Sequence, residues 1–403
     1  MPTSVTPNKY AIEIRDKSFR LKQRIENLAT NVQWEWNRFG GCGRATFTVP
    51  GNYLRFQVNA DDDVRIYLPN TDGLTATLWY RGYVEAATPS LEGSAAGSIK
   101  IECAGYFNWL DRIIIQTSNT PKTYSSSEIS AVVTDIVNNF IVPNSSIVSG
   151  AIDASNFTPD SLVFKTTARE AIGTLFDLTG TIECGVDANL NFFWRNQSNV
   201  ITQEYFVGDK VKKISEKINF KDIVNKIYFE GGDVSGTPFL ATSSSDDSIA
   251  RYGLHEQIIQ NASIVTLNVA NQYTASILTQ KSKPQRQLDV SLRNIDARFE
   301  ANQPIGNISV VDRDATQSAS KWGKLASGGS NKIYGRKVTG GSDTLYGGRR
   351  KDQIERVIYT LSPQDGRVHA ELSLGVSIAF SRASSELRRM ELIQNTIRQR
   401  QLA

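Results

Sequence analysis

Histidine, cysteine and long apolar runs are all scarce in this chain, and each scarcity removes a class of function. Among 403 residues there are two histidines, His255 and His369, and three cysteines, Cys42, Cys103 and Cys184. The cysteines stand about 60 to 80 residues apart, with no CxxC pair, so a zinc knuckle is excluded. Their odd number argues against a disulfide framework and fits a reducing cytoplasm. Cys103 ends the alternation Ile99, Ile101, Cys103 and reads as a small core hydrophobe. The sequence holds no HExxH, no GxSxG, no GxxxxGK[ST] and no GxGxxG after a strand. His369 falls on the polar side of an alternating run, and His255 sits in Gly253-Leu254-His255-Glu256-Gln257. Each reads as a surface or interface residue, with a base or ligand as the alternative. A glycosidase needs only two carboxylates about 5–10 Å apart, and no Asp or Glu pair stands out by position. No catalytic, cofactor-binding or metal-binding residue is therefore assigned.

No apolar run approaches the ~20 residues of a membrane helix, so no membrane anchor is expected. Met1-Pro2-Thr3-Ser4-Val5-Thr6-Pro7 lacks the charged-then-apolar order of a secretion signal. Charge is also in short supply: 45 Lys and Arg against 41 Asp and Glu leave a net +4. That balance gives no warrant for a nucleic-acid binder, which concentrates basic charge on one face.

What is present is strand pattern, in three blocks. In residues 1–120, Val32, Trp34 and Trp36 alternate, then Ala45, Phe47 and Val49 beyond a turn at Gly40-Gly41-Cys42-Gly43. Leu54, Phe56 and Val58 follow, then Val64, Ile66 and Leu68. Short strands at this spacing imply an antiparallel sandwich or barrel. Asp61-Asp62-Asp63 reads as a hairpin tip, because Asp accepts turn dihedrals; calcium is the alternative, without the Gly and Glu of an EF-hand loop.

Residues 121–205 change character. Ser125-Ser126-Ser127-Glu128 reads as a capping box with Ser125 as N-cap, ahead of Ile129, Val132, Val133, Ile136, Val137 and Phe140 at helical spacing. Thr167-Ala168-Arg169-Glu170 starts a second helix, ended at Gly180. Strands then flank a turn at Asp187-Ala188-Asn189, making a small α+β unit.

Residues 206–380 return to strands. In Lys221–Glu230, Ile223, Asn225, Ile227 and Phe229 share one face, and Val224, Lys226, Tyr228 and Glu230 the other. A Gly-Gly turn and a Ser/Asp-rich loop to Asp247 are expected next. A helix from Asn268 to about Lys281 carries Val269, Tyr273 and Ile277 and stops before Pro284. Leu288, Val290 and Leu292 alternate, as do Val368, Ala370, Leu372 and Leu374. Residues 314–351 read as a long exposed loop, basic and rich in Gly and Ser, including Arg349 and Arg350. It orders against a neighbouring subunit in the favoured reading; a nucleic-acid strand, on its interleaved Trp322, Tyr334 and Tyr346, is the alternative. Limited proteolysis of the isolated chain is expected to cut there first, near Lys332 or Arg349-Arg350. Residues 381–403 take a helical period, with Leu387, Met390, Ile393 and Ile397 on one stripe among Arg388, Arg389, Arg398 and Arg400. About 20 such residues are marginal alone in water, so the stripe is a candidate partner contact.

Several of these stretches, in this order, resemble the tail baseplate hub proteins of bacteriophages, related to the hub part of type VI secretion spikes. Gly105-Tyr106-Phe107-Asn108-Trp109-Leu110 resembles the run that closes the first barrel of that family. The helices from Ser127-Glu128-Ile129 and Glu170-Ala171-Ile172 resemble those that follow. Asn225-Lys226-Ile227-Tyr228 and Ser248-Ile249-Ala250-Arg251-Tyr252-Gly253 resemble the start of its second barrel. Pro304-Ile305-Gly306 is similar to a later Pro-Gly-Asp, here with Asn307 in place of the Asp.

The resemblance implies a mainly β fold with an α+β insertion. It would consist of two antiparallel β-barrel-like hub domains, a small α+β domain between them, and a C-terminal helix. It implies a structural protein of the virion tail, made in the host bacterial cytoplasm. Three copies would form a ring joining a sixfold tail tube to a threefold spike or tip. Expected partners are the chain itself as a homotrimer, a tail tube or distal tail protein, a spike or tail-tip protein, and baseplate wedge proteins. DNA would pass only as transiting cargo, beside the tape-measure protein. A tail-associated peptidoglycan hydrolase and a receptor- or carbohydrate-binding tail protein are the alternatives.

Overall fold

The computed structural model describes residues 10–51, 57–69, 76–90, 97–117, 120–155, 157–179, 182–196, 204–207, 211–234, 237–293, 295, 307–312, 332–333, 336–337, 350–362 and 366–374. The first strand set comprises β1 (Ala11–Arg15), β2 (Leu21–Glu26), β3 (Thr30–Asn37), β4 (Phe39–Pro50), β5 (Asp63–Pro69), β6 (Ala76–Ser90) and β7 (Ser98–Gly105). They pair antiparallel in the order β2-β1-β5-β6-β7-β4-β3. The alternation read from sequence holds: Val32, Trp34 and Trp36, then Ala45, Phe47 and Val49, then Val64, Ile66 and Leu68 all point into one core. The glycine run turns the chain in part: Asn37 pairs with Gly41, so the reversal spans Arg38 to Gly40, with φ 117° at Gly40 and 71° at Gly41, while Cys42 and Gly43 continue β4.

A 3-10 turn, Tyr106–Arg112, leads into the α+β unit. It contains β8 (Ile114–Thr117), β9 (Thr120–Ser125), α1 (Ile129–Ile136), β10 (Val148–Ile152), β11 (Ser161–Phe164), β12 (Thr166–Thr167), α2 (Ala168–Thr179), β13 (Ile182–Val186) and β14 (Asn191–Asn196). The cap of α2 is as expected, with Thr167 Oγ1 accepting from the Glu170 amide at 3.2 Å. That of α1 is not. Ser125 stays in β9 opposite Ser161, Ser126 takes φ 46°, and Glu128 occupies the N-cap without accepting from a backbone N–H of the helix. Its carboxylate is taken instead by the backbone N–H of Ser155 at 2.8 Å and the hydroxyl of Ser130 at 2.6 Å. The turn before β14 forms as read, with Asp187 Oδ1 accepting from the amides of Asn189 and Asn191.

The remaining elements are β15 (Glu204–Val207), β16 (Val211–Asn219), β17 (Lys226–Val234), β18 (Thr237–Ser244), α3 (Asp246–Tyr252), β19 (Glu256–Asn261), α4 (Leu267–Lys281), β20 (Gln285–Leu292), β21 (Asn307–Asp312), β22 (Lys332–Ile333), β23 (Arg336–Lys337), β24 (Arg350–Leu361) and β25 (Val368–Leu374). Gly231 and Gly232 do not turn the chain; β17 runs through them, and its reversal comes after Val234. The helix expected at 268–281 is α4, beginning at Leu267. The expected loop 314–351 contains the two-residue hairpin β22–β23 and ends earlier than read, because Arg350 and Lys351 pair with Val310 and Ser309.

Two separate barrels were expected, and the strands are instead one continuous path. β3 pairs with β24, so the edge that would close the first set carries the second set instead. In the second set β24 pairs with β21, β21 with β15, β16 with β20, β20 with β25, and β25 back with β24. The contact between β15 and β16 is the single pair Val207↔Val211, so the circuit is not a continuously bonded barrel. Nor is the pairing wholly antiparallel, since β4–β13, β10–β14, β15–β21 and β17–β19 run parallel.

The buried side chains fall into two cores. The first spans both strand sets, from Tyr10 and Trp34 to Tyr359 and Leu374. The second joins the α+β unit to the β17–α4 segment, from Phe39 and Val132 to Ile227, Phe229 and Tyr273. At about 25 cal/mol per Å2 of apolar surface, cores of this extent are the main stabilising contribution to the fold.

Candidate functional site: the junction and the exposed sheet

Arg38 stands where the first strand set, the second strand set and the α+β unit meet. It opens the reversal between β3 and β4, and its backbone serves both neighbours. Its N–H donates to the carbonyl of Glu355 in β24 at 2.9 Å, and its carbonyl accepts from Cys184 N in β13 at 3.1 Å. The guanidinium repeats the arrangement. Nη1 meets Glu355 Oε1 at 2.9 Å, Nε donates to Ile182 O at 3.1 Å, and Cζ lies 5.5 Å from the centre of the Phe176 ring in α2. Both side chains of the pair are buried, at 3% and 6% exposure, which costs each ion its hydration and demands this degree of compensation. Beside it, Trp34 stacks on Tyr359 at 5.4 Å and Trp36 on Phe193 at 5.8 Å. Sequence reasoning missed Arg38 and Glu355. The available signal was a lone cation between two aromatic runs, Trp34-Glu35-Trp36 and Phe39.

The acidic triplet holds cations of the protein itself. Asp61 takes φ 65° at the turn, as read. It receives Arg112 Nη2 at 2.8 Å, and that hydrogen bond, outweighing its partial burial, holds the carboxyl below the usual range. Asp62 receives Lys22 Nζ at 2.7 Å and the Asn59 amide at 2.8 Å. Asp63 is fully buried between Arg65, Arg81 and the Tyr106 hydroxyl, at 2.7, 2.7 and 2.8 Å. Burial and the adjacent Asp63 carboxylate push the Tyr106 phenol well up. Among the described residues no group of three or more His, Cys, Asp or Glu could hold a metal ion.

A third polar cluster anchors the β17–α4 segment. Asn225, fully buried, donates to Gly253 O at 2.6 Å and accepts from the His255 amide at 2.7 Å. Lys281, 5% exposed, donates to Gln257 Oε1 at 2.8 Å, and burial lowers its ammonium pKa to about 8. His255 Nε2 lies 3.1 Å from Tyr252 O, and His369 pairs in register with Thr360.

The outer face of the β18–β17–β19 sheet is open. Its inner residues Ile227 and Phe229 are buried, while Tyr228, Leu240 and Ile258 are exposed by 37, 68 and 63%. Of the contact residues expected from sequence, Leu387, Met390, Ile393, Ile397 and Arg349 lie outside the described residues, as does the whole segment 381–403. Arg350 opens β24 instead of ending a loop. Trp34, Trp36 and Trp194 are buried, and Trp79 and Trp109 pack against the two cores, so these five form no exposed sugar platform. No helix of the described residues is long and apolar enough to cross a membrane.

No family model and no curated protein matches the sequence. Solved structures do match. The prophage MuSo2 43 kDa tail protein from Shewanella oneidensis superposes with a TM-score of 0.57 at 13% identity, over 92% of this chain and 99% of that one. The tail protein from Neisseria meningitidis MC58 gives 0.57 at 8% identity, over 91% and 96%. This chain has the fold of the phage tail proteins. The match runs nearly end to end in both partners, so the tail-protein fold includes the two strand sets, the α+β unit and the β17–α4 segment together. At these identities the tail-protein likeness resides in topology, and the residues of the Arg38 junction are read from this chain alone.

Proposed function

We propose that this protein is a structural component of a phage tail, acting at the baseplate hub as a homotrimeric ring. The carrying observation is the end-to-end likeness of fold to two tail proteins. The construction of the chain supports it. Two strand sets are joined edge to edge through β3–β24 and by the Arg38–Glu355 pair. With one position from each set, three copies offer six, the number needed to meet a sixfold tube on one side while remaining threefold on the other. In this role the ring joins the tail tube or a distal tail protein to a spike or tail-tip protein. Baseplate wedge proteins attach outside it, and tape-measure protein and DNA pass through its bore. Its work is mechanical and needs no cofactor. The carboxylates of the acidic triplet are engaged by Arg, Lys and Tyr, and Glu355 by Arg38.

Light scattering on the purified full chain, followed by reconstruction of assembled tails, tests the assembly. Three copies in the tail are expected. A dimer or tetramer in both experiments overturns the ring.

A further inference from the structure

We draw no further inference here: the strongest candidate, the open outer face of the β18–β17–β19 sheet around Tyr228, Leu240 and Ile258, carries no proposal because nothing among the described residues shows what covers it.

Discussion

At the scale of single residues, the buried ions decide most. Arg38 and Glu355 are worth more as a pair than either is alone, because removing one leaves a charge in the interior facing a lost partner. Arg38→Met is expected to cost about 3–5 kcal/mol in urea unfolding, and Arg38→Met with Glu355→Met less than the single change. Additive losses would mean that the two side chains act independently. Lys281 gives a pH signature. Its ammonium has a pKa near 8 in the folded chain, against 10.5 for the ordinary group. Between those values the unfolded chain holds a proton that the folded one has released, so stability rises with pH across this window. This gain is opposed from pH 9, because burial pushes the Cys103 thiol well up from 9.0, and from pH 10, because burial holds the phenols of Tyr10 and Tyr83 at about 12; the unfolded chain loses these protons first. Wild type should gain at most about 2 kcal/mol from pH 8 to 9.5, and Lys281→Met should show no such gain in denaturant titrations at the two pH values.

At the scale of elements, what could be read from sequence and what could not divide by the range of the contacts involved. Local periodicity was enough for the buried faces of β3, β4, β5 and β25, for the Thr167 cap of α2 and for α4 ahead of Pro284. It was not enough for α1, whose intended cap lost Glu128 to Ser155, 27 residues away. Nor could it place Gly231-Gly232, where glycine signals a turn locally but here lies within β17. At Gly41 the glycine serves a parallel neighbour as well as the turn. A Cβ there would come within 2.3 Å of Val186 O, and φ is +71°. Gly185, which pairs with Gly40, would put a Cβ 2.2 Å from Gly41 N. The seam between β4 and β13 therefore exists only because both strands are bare at this point. Gly185→Ala should lower stability by roughly 2–4 kcal/mol through the forced separation of the strands. Gly253→Ala has open space around its Cβ, but φ +81° with ψ 175° is backbone open essentially to glycine, so it should cost about 1–3 kcal/mol through strain alone. A Gly185→Ala protein as stable as wild type would refute the close-approach argument.

At the scale of the whole molecule, the sequence pattern suggested strand domains that fold separately, and the buried residues are arranged differently. One core runs through both strand sets, and β3 and β24 share a ladder from Gln33↔Thr360 to Asn37↔Arg356. Tyr359 is central to it. Its ring is 5.4 Å from Trp34 and 5.5 Å from Trp79, both of the first set, while its backbone pairs with Ala370 of β25 in the second. Truncation of a buried aromatic costs about 3–5 kcal/mol through lost burial and the cavity left behind. How that loss is distributed depends on whether the sets are one cooperative unit. If they are, Tyr359→Ala lowers the protection of slow amides in β4 and β5 by the same free energy as in β25, although β5 lies well along the sheet from the substitution. Hydrogen exchange read by mass spectrometry on these three strands gives the comparison directly. A loss confined to β24, β25 and their immediate neighbour β3, with β5 unaffected, would make the first set an independent domain. The proposed hub role expects the former result, because a hinge between the two strand sets would yield under load.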